Sequence, residues 1–245
     1  MSFNEILNQL ENGSVRSASK INNKWQANQE IKKAILEAFK AGQLTEMNGF
    51  VDKNTMPVQK FSVEKGIRLV PGGTSIRRGS YLAKGVIVMP PSYVNVGAYI
   101  DSGSMIDSHV LVGSCAQIGK NVHLSAGVQI GGVLEPINGN PVIIEDHCFI
   151  GADAVIVEGI VVKEGAIIAP GVVLSRGVKI FDCVNEKEIK DFIIPENAVV
   201  ISGTRPLGSQ NTWGLQKGLQ VYCALIIKYR DQKSDASLTL EEALR

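Results

Sequence analysis

The sequence is poor in aromatic residues and carries almost no net charge. Phe, Trp and Tyr make up 6% of its 245 residues, whereas glycine contributes 25 residues. This balance favours repeated turns over a bulky aromatic core. Lys and Arg total 25 against 24 for Asp and Glu, so the charge does not indicate a basic binding surface. A nucleic-acid partner or an anionic membrane is therefore not expected.

The sequence also lacks a metal or redox cysteine motif and any long apolar run. Its four cysteines form no Cys-x-x-Cys pair, so we expect neither a zinc site nor a redox motif: Cys115, Cys148, Cys183 and Cys223. No segment approaches the roughly 18 apolar residues that span a bilayer, and the N-terminus lacks the apolar segment of a signal peptide. We therefore expect a cytoplasmic protein with reduced thiols.

Aliphatic residues recur at every sixth position through much of the chain. One series runs from Val70 to Ile130 and a second from Ile144 to Ile180, and every position is Val, Ile or Leu. The eighteen positions are Val70, Ile76, Leu82, Val88, Val94, Ile100, Ile106, Val112, Ile118, Leu124, Ile130, Ile144, Ile150, Ile156, Val162, Ile168, Leu174 and Ile180. The two series are out of phase, which indicates an insertion between them.

A period of six fits neither an amphipathic helix nor an uninterrupted strand. Three positions past each aliphatic residue, ten of eighteen residues are glycine, and His, Asn and Asp fill several of the others. These residue types tolerate the positive φ of a tight corner. Each hexad therefore predicts a short strand and a corner, and three hexads close a triangular coil whose aliphatic residues stack about 4.8 Å apart. We predict a parallel β-helix of hexapeptide repeats, because eighteen aliphatic residues in register argue against an ordinary β-sandwich.

The repeat divides the chain into three predicted regions. Residues 1–66 lack it and are predicted to form a small helical domain, with helices over 2–11 and 28–41. Residues 67–183 are predicted to form the β-helix. Residues 184–245 are predicted to form a C-terminal extension.

Two segments interrupt or follow the coil. The loop 131–143 is rich in proline and glycine, and it is either a simple surface insertion or a flap that closes an active site on an adjacent subunit. In the extension we predict a hairpin or loop over 185–195, strands over 198–202 and 221–228, and a short helix over 238–245.

Several runs of the predicted β-helix resemble the tetrahydrodipicolinate N-succinyltransferases of the hexapeptide-repeat acyltransferase superfamily. These runs are 91–107, 113–125, 131–136 and 143–152. The resemblance covers roughly residues 65–230 and the terminal helix. It implies that the coil is left-handed, that the protein is a homotrimer and that the active sites lie between subunits.

The resemblance also implies a reaction. Members of this family transfer a succinyl group from succinyl-CoA to the nitrogen of tetrahydrodipicolinate, in the diaminopimelate route to lysine. Succinyl-CoA is then a co-substrate, and no permanently bound cofactor is expected. The chemistry requires a deprotonated amine held near the thioester and a donor to the developing oxyanion.

Three charged residues are candidates for the acceptor side of this site. Asp107 matches the family's substrate-contacting aspartate, which implies roles in substrate binding and at the amine. Glu158 is a second candidate catalytic carboxylate, and Arg68 is a candidate partner for a substrate carboxylate. The alternative for each is a structural role at a corner or on the surface.

Small residues and one lysine are candidates for the CoA site. Gly132, Ala152 and Ala169 would allow the pantetheine arm to approach the backbone, and Lys228 would contact a CoA phosphate unless it is simply solvated. We expect no metal site among the three histidines, and His123 is an alternative general base.

Two positions depart from the family's pattern. Similar succinyltransferases often carry a glutamate where this chain has Val155 and an arginine where it has Asp153. The second substrate-side carboxylate is therefore not transferred to this chain, and the local pattern is closer to N-acetyltransferases acting on the same acceptor. An acetyl-CoA-dependent N-acetyltransferase and a non-catalytic trimeric scaffold remain the alternatives.

Overall fold

Two helices and two hairpins precede the repeat in the computed structural model, which describes residues 2–47 and 49–230. These elements are α1 (Phe3–Glu11), β1 (Ala18–Ile21), β2 (Lys24–Ala27), α2 (Gln29–Ala41), β3 (Leu44–Met47) and β4 (Phe50–Lys53). Strand β1 pairs with β2 and β3 with β4, both antiparallel, and a 3-10 turn at Val63–Lys65 leads into the coil. The helices predicted over 2–11 and 28–41 are confirmed, whereas the hairpins were not predicted. The predicted helix over 238–245 lies outside the described residues.

Local side-chain hydrogen bonds start both helices. Ser2 Oγ accepts from Glu5 N at 3.3 Å, and Glu5 Oε2 accepts from Ser2 N at 2.7 Å, which is a reciprocal capping box. The Asn28 side chain accepts from Ile31 N at the start of α2. Neither helix, nor any other in the described part of the chain, is long and apolar enough to cross a membrane.

The repeat forms a β-helix of two-residue strands. They are β5 (Arg68–Leu69), β6 (Ser75–Ile76), β7 (Tyr81–Leu82), β8 (Ile87–Val88), β9 (Tyr93–Val94), β10 (Tyr99–Ile100), β11 (Met105–Ile106), β12 (Leu111–Val112), β13 (Gln117–Ile118), β14 (His123–Leu124), β15 (Gln129–Ile130), β16 (Ile143–Ile144), β17 (Phe149–Ile150), β18 (Val155–Ile156), β19 (Val161–Val162), β20 (Ile167–Ile168) and β21 (Val173–Leu174). Every third strand pairs in parallel, so the strands form three sheets.

The three sheets are called A, B and C. Sheet A contains β6, β9, β12, β15, β18 and β21; sheet B contains β7, β10, β13, β16 and β19; sheet C contains β5, β8, β11, β14, β17 and β20. The chain passes from sheet A to B to C and back to A in each coil. The turns between them are the A–B, B–C and C–A corners, and each runs as an edge along the whole coil.

The second residue of each strand points into one continuous core. Seventeen of the eighteen aliphatic residues are at most 7% exposed and belong to this core, which confirms the predicted stacking. Val70 is the exception, since Leu69 pairs with Val88 and packs on the core instead. The first C–A corner is one residue longer than the others, so the series started one position too late.

Residues other than glycine also adopt positive φ at the corners. Five predicted corner positions have φ between 51° and 67°: His109, Cys115, Asn121, His147 and Asp153. They take the place of glycine in the repeat, as the sequence predicted for His, Asn and Asp but not for Cys115. His109 and His147 therefore have a structural position at the corners, which accounts for their spacing.

Parallel stacking on the coil continues beyond residue 183. After β22 (Ile180–Asp182) and β23 (Lys187–Ile189) form an antiparallel hairpin, β24 (Ile193–Ile194) stacks on β19 in sheet B. Strand β25 (Ala198–Pro206) then stacks on β20 in sheet C and pairs with β26 (Gln220–Tyr229), so both predicted C-terminal strands are confirmed. A short helix that was not predicted, α3 (Thr212–Gln216), lies between these two strands.

Apolar contacts hold the N-terminal helices on the A–B corner. Leu7 and Ile35, both fully buried, share a cluster with Val96 and Cys115, which lie at that corner of successive coils. The two helices therefore cover the lower part of the edge from which the loop 131–142 later emerges.

A polar cluster holds the first hairpin on sheet B. Glu145 is 8% exposed, accepts a hydrogen bond from Trp25 Nε1 at 2.7 Å and pairs with Lys20 at 2.7 Å. Burial alone would raise the pKa of Glu145, but these donors and Lys163 outweigh it and lower the pKa below its ordinary value. The Arg16 guanidinium lies 3.7 Å from the ring centroid of Tyr99 on the same sheet.

Neighbouring isoleucines of β20 provide a test of the inward pattern. Ile168 is fully buried, whereas Ile167 points outward and is half-buried. We expect Ile168→Ala to reduce the free energy of unfolding by about 2–5 kcal/mol, because it opens a cavity in the stack. Ile167→Ala should cost about 1 kcal/mol or less by the same measure. Urea denaturation at one protein concentration measures both, and equal losses would contradict the inward assignment.

The thiol of Cys148 predicts a loss of stability in alkaline solution. Cys148 is buried, with Sγ 3.0 Å from Lys163 O, and burial raises its pKa from 9.0 to about 12. The unfolded thiol therefore ionises first, so stability is full below pH 9 and falls by about 1.4 kcal/mol per pH unit above it. Cys148→Ala should flatten this slope in urea denaturation between about pH 8 and 10.5. Cys183→Ala, at an exposed cysteine, is the control and should leave the slope unchanged.

Candidate active site

Asp107 lies at the C–A corner, directly after β11. Its side chain is 31% exposed, and Oδ1 accepts from Ser108 N at 2.7 Å. Its second oxygen, Oδ2, lies 3.8 Å from Nε2 of His123, a buried residue of the next coil. His123 in turn meets the ring of Phe149 edge-on at 5.2 Å between centroids. The structure thus brings together the predicted aspartate and the alternative general base, which the sequence had not connected.

Other predicted residues lie along the same side of the coil as Asp107. Ala152 and Ala169 follow β17 and β20 at the C–A corner, two and three strands further along. Lys228 is exposed in β26, five strands from β11 and therefore roughly 24 Å away along the sheet. Arg68 is exposed in β5, two strands from β11 in the opposite direction. A long, narrow ligand can follow such a line from end to end.

Glu158 and Gly132 lie at a different edge, the A–B corner. Glu158 follows β18 and Gly132 follows β15, so neither shares a corner with Asp107. They line a cavity of about 530 Å³ between the loop 131–142 and the next coils. Within one subunit, the two predicted catalytic carboxylates therefore lie at different corners of the coil.

Gly132 has a clear structural role in this arrangement. A Cβ on Gly132 would lie 2.6 Å from Ser114 N, because the start of the loop runs directly over the coil below. Val133 N donates to Ser114 O at 3.1 Å next to it. The close approach requires glycine here, whether or not a ligand also uses the space.

Arg176 is a neighbour of Glu158 that the sequence reasoning missed. Its backbone N donates to Glu158 Oε2 at 2.7 Å, and its Nε donates to Glu158 O at 2.9 Å. Both residues line the cavity. The signal was available, since Arg176 follows Glu158 by one full coil and so occupies the same corner.

The loop 131–142 is held by the N-terminal region of its own chain. The fully buried Lys32 of α2 donates from Nζ to Gly139 O at 2.6 Å and to Pro136 O at 3.3 Å. The Asn140 side chain accepts from Ala27 N at 2.9 Å and donates to Trp25 O at 3.2 Å. The sequence did not predict these contacts, because a lysine on a helix ordinarily indicates a solvated face.

The two departures from the family's pattern have separate positions. Val155 is an outward residue of β18 in sheet A, paired with Gln129 and Val173. Asp153 is exposed at the C–A corner with φ 58° and replaces a corner glycine. Among the described residues, no group of three or more His, Cys, Asp and Glu side chains is placed to hold a metal ion.

Two family models match the chain. The model for the tetrahydrodipicolinate N-succinyltransferase N-terminal region matches residues 1–41, and the model for the hexapeptide repeat of succinyl-transferase matches residues 141–176. The resemblance seen in the sequence from about residue 65 therefore extends to the N-terminal region, where the sequence alone shows only a weak likeness to the family.

Curated relatives match nearly the whole chain. The 2,3,4,5-tetrahydropyridine-2,6-dicarboxylate N-succinyltransferase of Legionella pneumophila (strain Corby) is 45% identical, over 99% of this chain and 87% of its own length. The protein of the same name from Psychrobacter sp. (strain PRwf-1) is 46% identical, over 99% of this chain and 88% of its own.

A solved structure shares the fold. A Campylobacter jejuni protein described as a 2,3,4,5-tetrahydropyridine-2-carboxylate N-succinyltransferase superposes with a TM-score of 0.51 at 18% identity. The match covers 92% of this chain and 63% of that chain. At this identity, the likeness supports the β-helix architecture alone.

Proposed function

This chain belongs to the tetrahydrodipicolinate N-succinyltransferases, and from this membership we propose that it transfers the succinyl group of succinyl-CoA to the nitrogen of 2,3,4,5-tetrahydrodipicolinate. The observation that carries the proposal is identity of 44–46% to curated relatives with that activity in their names, over 98–99% of the chain. The product belongs to the diaminopimelate route to lysine, and the proposed setting is the cytoplasm.

The reaction has several bond changes that the protein must coordinate. Water adds across the C=N bond of the cyclic imine, and the resulting amine nitrogen attacks the thioester carbonyl. The C–S bond then breaks, the CoA thiol leaves with a proton, and the ring opens to N-succinyl-2-amino-6-oxopimelate. Holding nitrogen and carbonyl in contact lowers the barrier by up to about 7–11 kcal/mol.

We assign Asp107 to the nitrogen. Its Oδ1 is fixed by Ser108 N, which leaves Oδ2 to orient the amine and accept its proton. His123, 3.8 Å away, is the neighbouring group able to carry that proton onward. Arg68 lies on the same face and is proposed to bind one carboxylate of the acceptor.

We assign the long donor to the line of small residues along the C–A corner. Ala152 and Ala169 permit close approach of the pantetheine arm, and Lys228 near the far end is proposed to meet a phosphate. Its distance of roughly 24 Å from Asp107 suits an extended ligand rather than a compact one.

A homotrimer accounts for the separation of Asp107 from Glu158 and Gly132. In a cyclic trimer each interface pairs two different patches, whereas a two-fold dimer pairs a patch with itself. The C–A corner of one subunit can therefore face the A–B corner of the next. In this proposal the loop 131–142, with Gly132 and Glu158, completes the donor site from the neighbouring subunit.

The donor preference tests the proposed reaction. With tetrahydrodipicolinate as acceptor and thiol release as the readout, we expect kcat/KM for succinyl-CoA to exceed that for acetyl-CoA by at least about tenfold, because a site built for the extra carboxylate leaves its partner group unpaired when acetyl-CoA binds. A preference for acetyl-CoA would favour the N-acetyltransferase that Val155 and Asp153 suggest. Release of thiol from neither donor would favour the scaffold.

Asp107→Asn tests the assignment at the nitrogen. Asparagine keeps the hydrogen bond from Ser108 N but cannot take a proton, so we expect kcat to fall by about 10²–10⁴ with the fold unchanged. Asp101 makes the same hydrogen bond to Ser102 N at the B–C corner. Asp101→Asn is therefore the matched control, with kcat within about twofold of the parent.

Mixing two inactive variants tests the shared site. If Asp107 and Glu158 come from adjacent subunits, trimers refolded from an equal mixture of Asp107→Asn and Glu158→Gln chains should regain about one quarter of the parent activity. Each variant refolded alone stays inactive. A mixture no more active than its components would show that one subunit supplies both residues or that Glu158 has another role.

A further inference from the structure

Lys32 has no exposed surface, although it carries an amine at the end of a flexible chain. It lies on α2 next to Ile31 and one turn from Ile35, which belong to the apolar cluster that joins the helices to the coil. Burial lowers the pKa of Lys32, and the nearby Cys115 opposes the shift. An apolar residue would fill this position at lower free-energy cost. The amine therefore has a role that packing does not explain.

The amine of Lys32 holds the middle of the loop. In the described part of the chain, its bonds to Pro136 O and Gly139 O are the only hydrogen bonds between residues 134–139 and any residue outside that segment. Within the segment, Gly139 N donates to Pro136 O at 2.9 Å and closes a turn whose carbonyls face the lysine. Without the amine, that turn keeps only its apolar contacts.

The two ends of the loop are held independently of Lys32. Val133 N bonds to Ser114 O at one end, and Asn140 bonds to Ala27 at the other. The Asn140 carbonyl also lies close against Gly159, where an added Cβ would be 2.5 Å from that oxygen. The ends are thus fixed against the coil, and the conformation between them depends on Lys32.

The segment fixed by Lys32 forms one wall of the cavity that also contains Glu158. Pro136 and Gly139 line the loop side, and Glu158 and Arg176 line the coil side. A shift of the central turn therefore changes the shape of the space between Gly132 and Glu158. In the proposed trimer, that space is the part of the donor site that the A–B corner of one subunit contributes to the site of the next.

We propose that Lys32 is a positioning residue of the acyl-donor site, which acts by fixing the central turn of the loop 131–142 over the cavity that contains Glu158. The inference rests on the proposed function for the identity of the donor. It assigns the N-terminal helices a task beyond covering the coil, since α2 delivers the amine to the loop.

Lys32→Met and Lys33→Met are a matched pair for testing this role. Methionine fills much of the same volume and is apolar, so Lys32→Met should fold with a melting temperature within a few degrees of the parent. Lys32→Met removes the amine and with it both hydrogen bonds to the loop. Lys33 is the next residue of α2 and is exposed, so Lys33→Met makes the same change without reaching the loop.

Hydrogen exchange and steady-state kinetics are measured on each full-length variant. We expect amide exchange across 132–140 to accelerate by about tenfold or more in Lys32→Met and to stay unchanged in Lys33→Met. We also expect KM for succinyl-CoA to rise by about tenfold in Lys32→Met while KM for the acceptor stays within about twofold.

Three results would overturn the inference. They are unchanged loop exchange in Lys32→Met, faster exchange with no change in KM for succinyl-CoA, and a joint rise of both KM values with a large drop in melting temperature. A parent protein that transfers no succinyl group would refute the proposed function. In that case exchange still decides whether Lys32 holds the loop, and the donor-site role falls with the activity.

Discussion

The stacking of one aliphatic side chain per strand is the constraint on which the rest of the structure depends. Each coil can bury its inward residues only against the coils above and below, at a spacing of about 4.8 Å. Ile106, Leu124 and Ile150, which are fully buried in successive coils of sheet C, show how strict the alignment is. Because the inward positions are fixed, equivalent corner residues of successive coils lie directly above one another. Side chains at the corners are thereby placed in straight lines, and Asp107 owes its position to this alignment.

The cavity beside Glu158 lies where the repeat is interrupted. Ile144 follows Ile130 by fourteen positions instead of six, yet β16 still pairs with β13 in register. The additional residues form the loop beside Glu158, and the N-terminal helices hold that loop through Lys32. The coil, the inserted loop and the N-terminal helices therefore all contribute to the proposed site. The coil supplies fixed positions, and the loop supplies a wall that the coil alone cannot make.

The sequence predicted the coil well because its signal is periodic and repeated. It placed seventeen inward residues correctly and failed at Val70, where a single extra residue in the first coil shifted the register. The domain bounds at 66 and 183 stay predictions. The stacking of β24 on β19 was not predicted, because the hairpin of β22 and β23 interrupts the six-residue period just before it.

The candidate site was less predictable from the sequence. Asp107 was found through the resemblance, but its neighbour His123 comes from the next coil and only the stacking brings the two together. Lys32 was missed because nothing in a helical pattern distinguishes a buried lysine from a solvated one. Contacts between separate regions, such as Lys32 with Gly139, have no periodic signal.

The long interruptions of the coil share one edge. The loop after β15 and the hairpin after β21 both leave from the A–B corner, and the N-terminal helices rest on it as well. The C–A corner gains a single residue near its lower end, and at its upper end β25 and β26 continue past it. The long insertions between strands of the coil are therefore concentrated at one edge, the A–B corner. Insertions at one corner lengthen the chain without changing the register of the stacked strands, so a loop can grow there while the aliphatic column that carries the fold stays as it is.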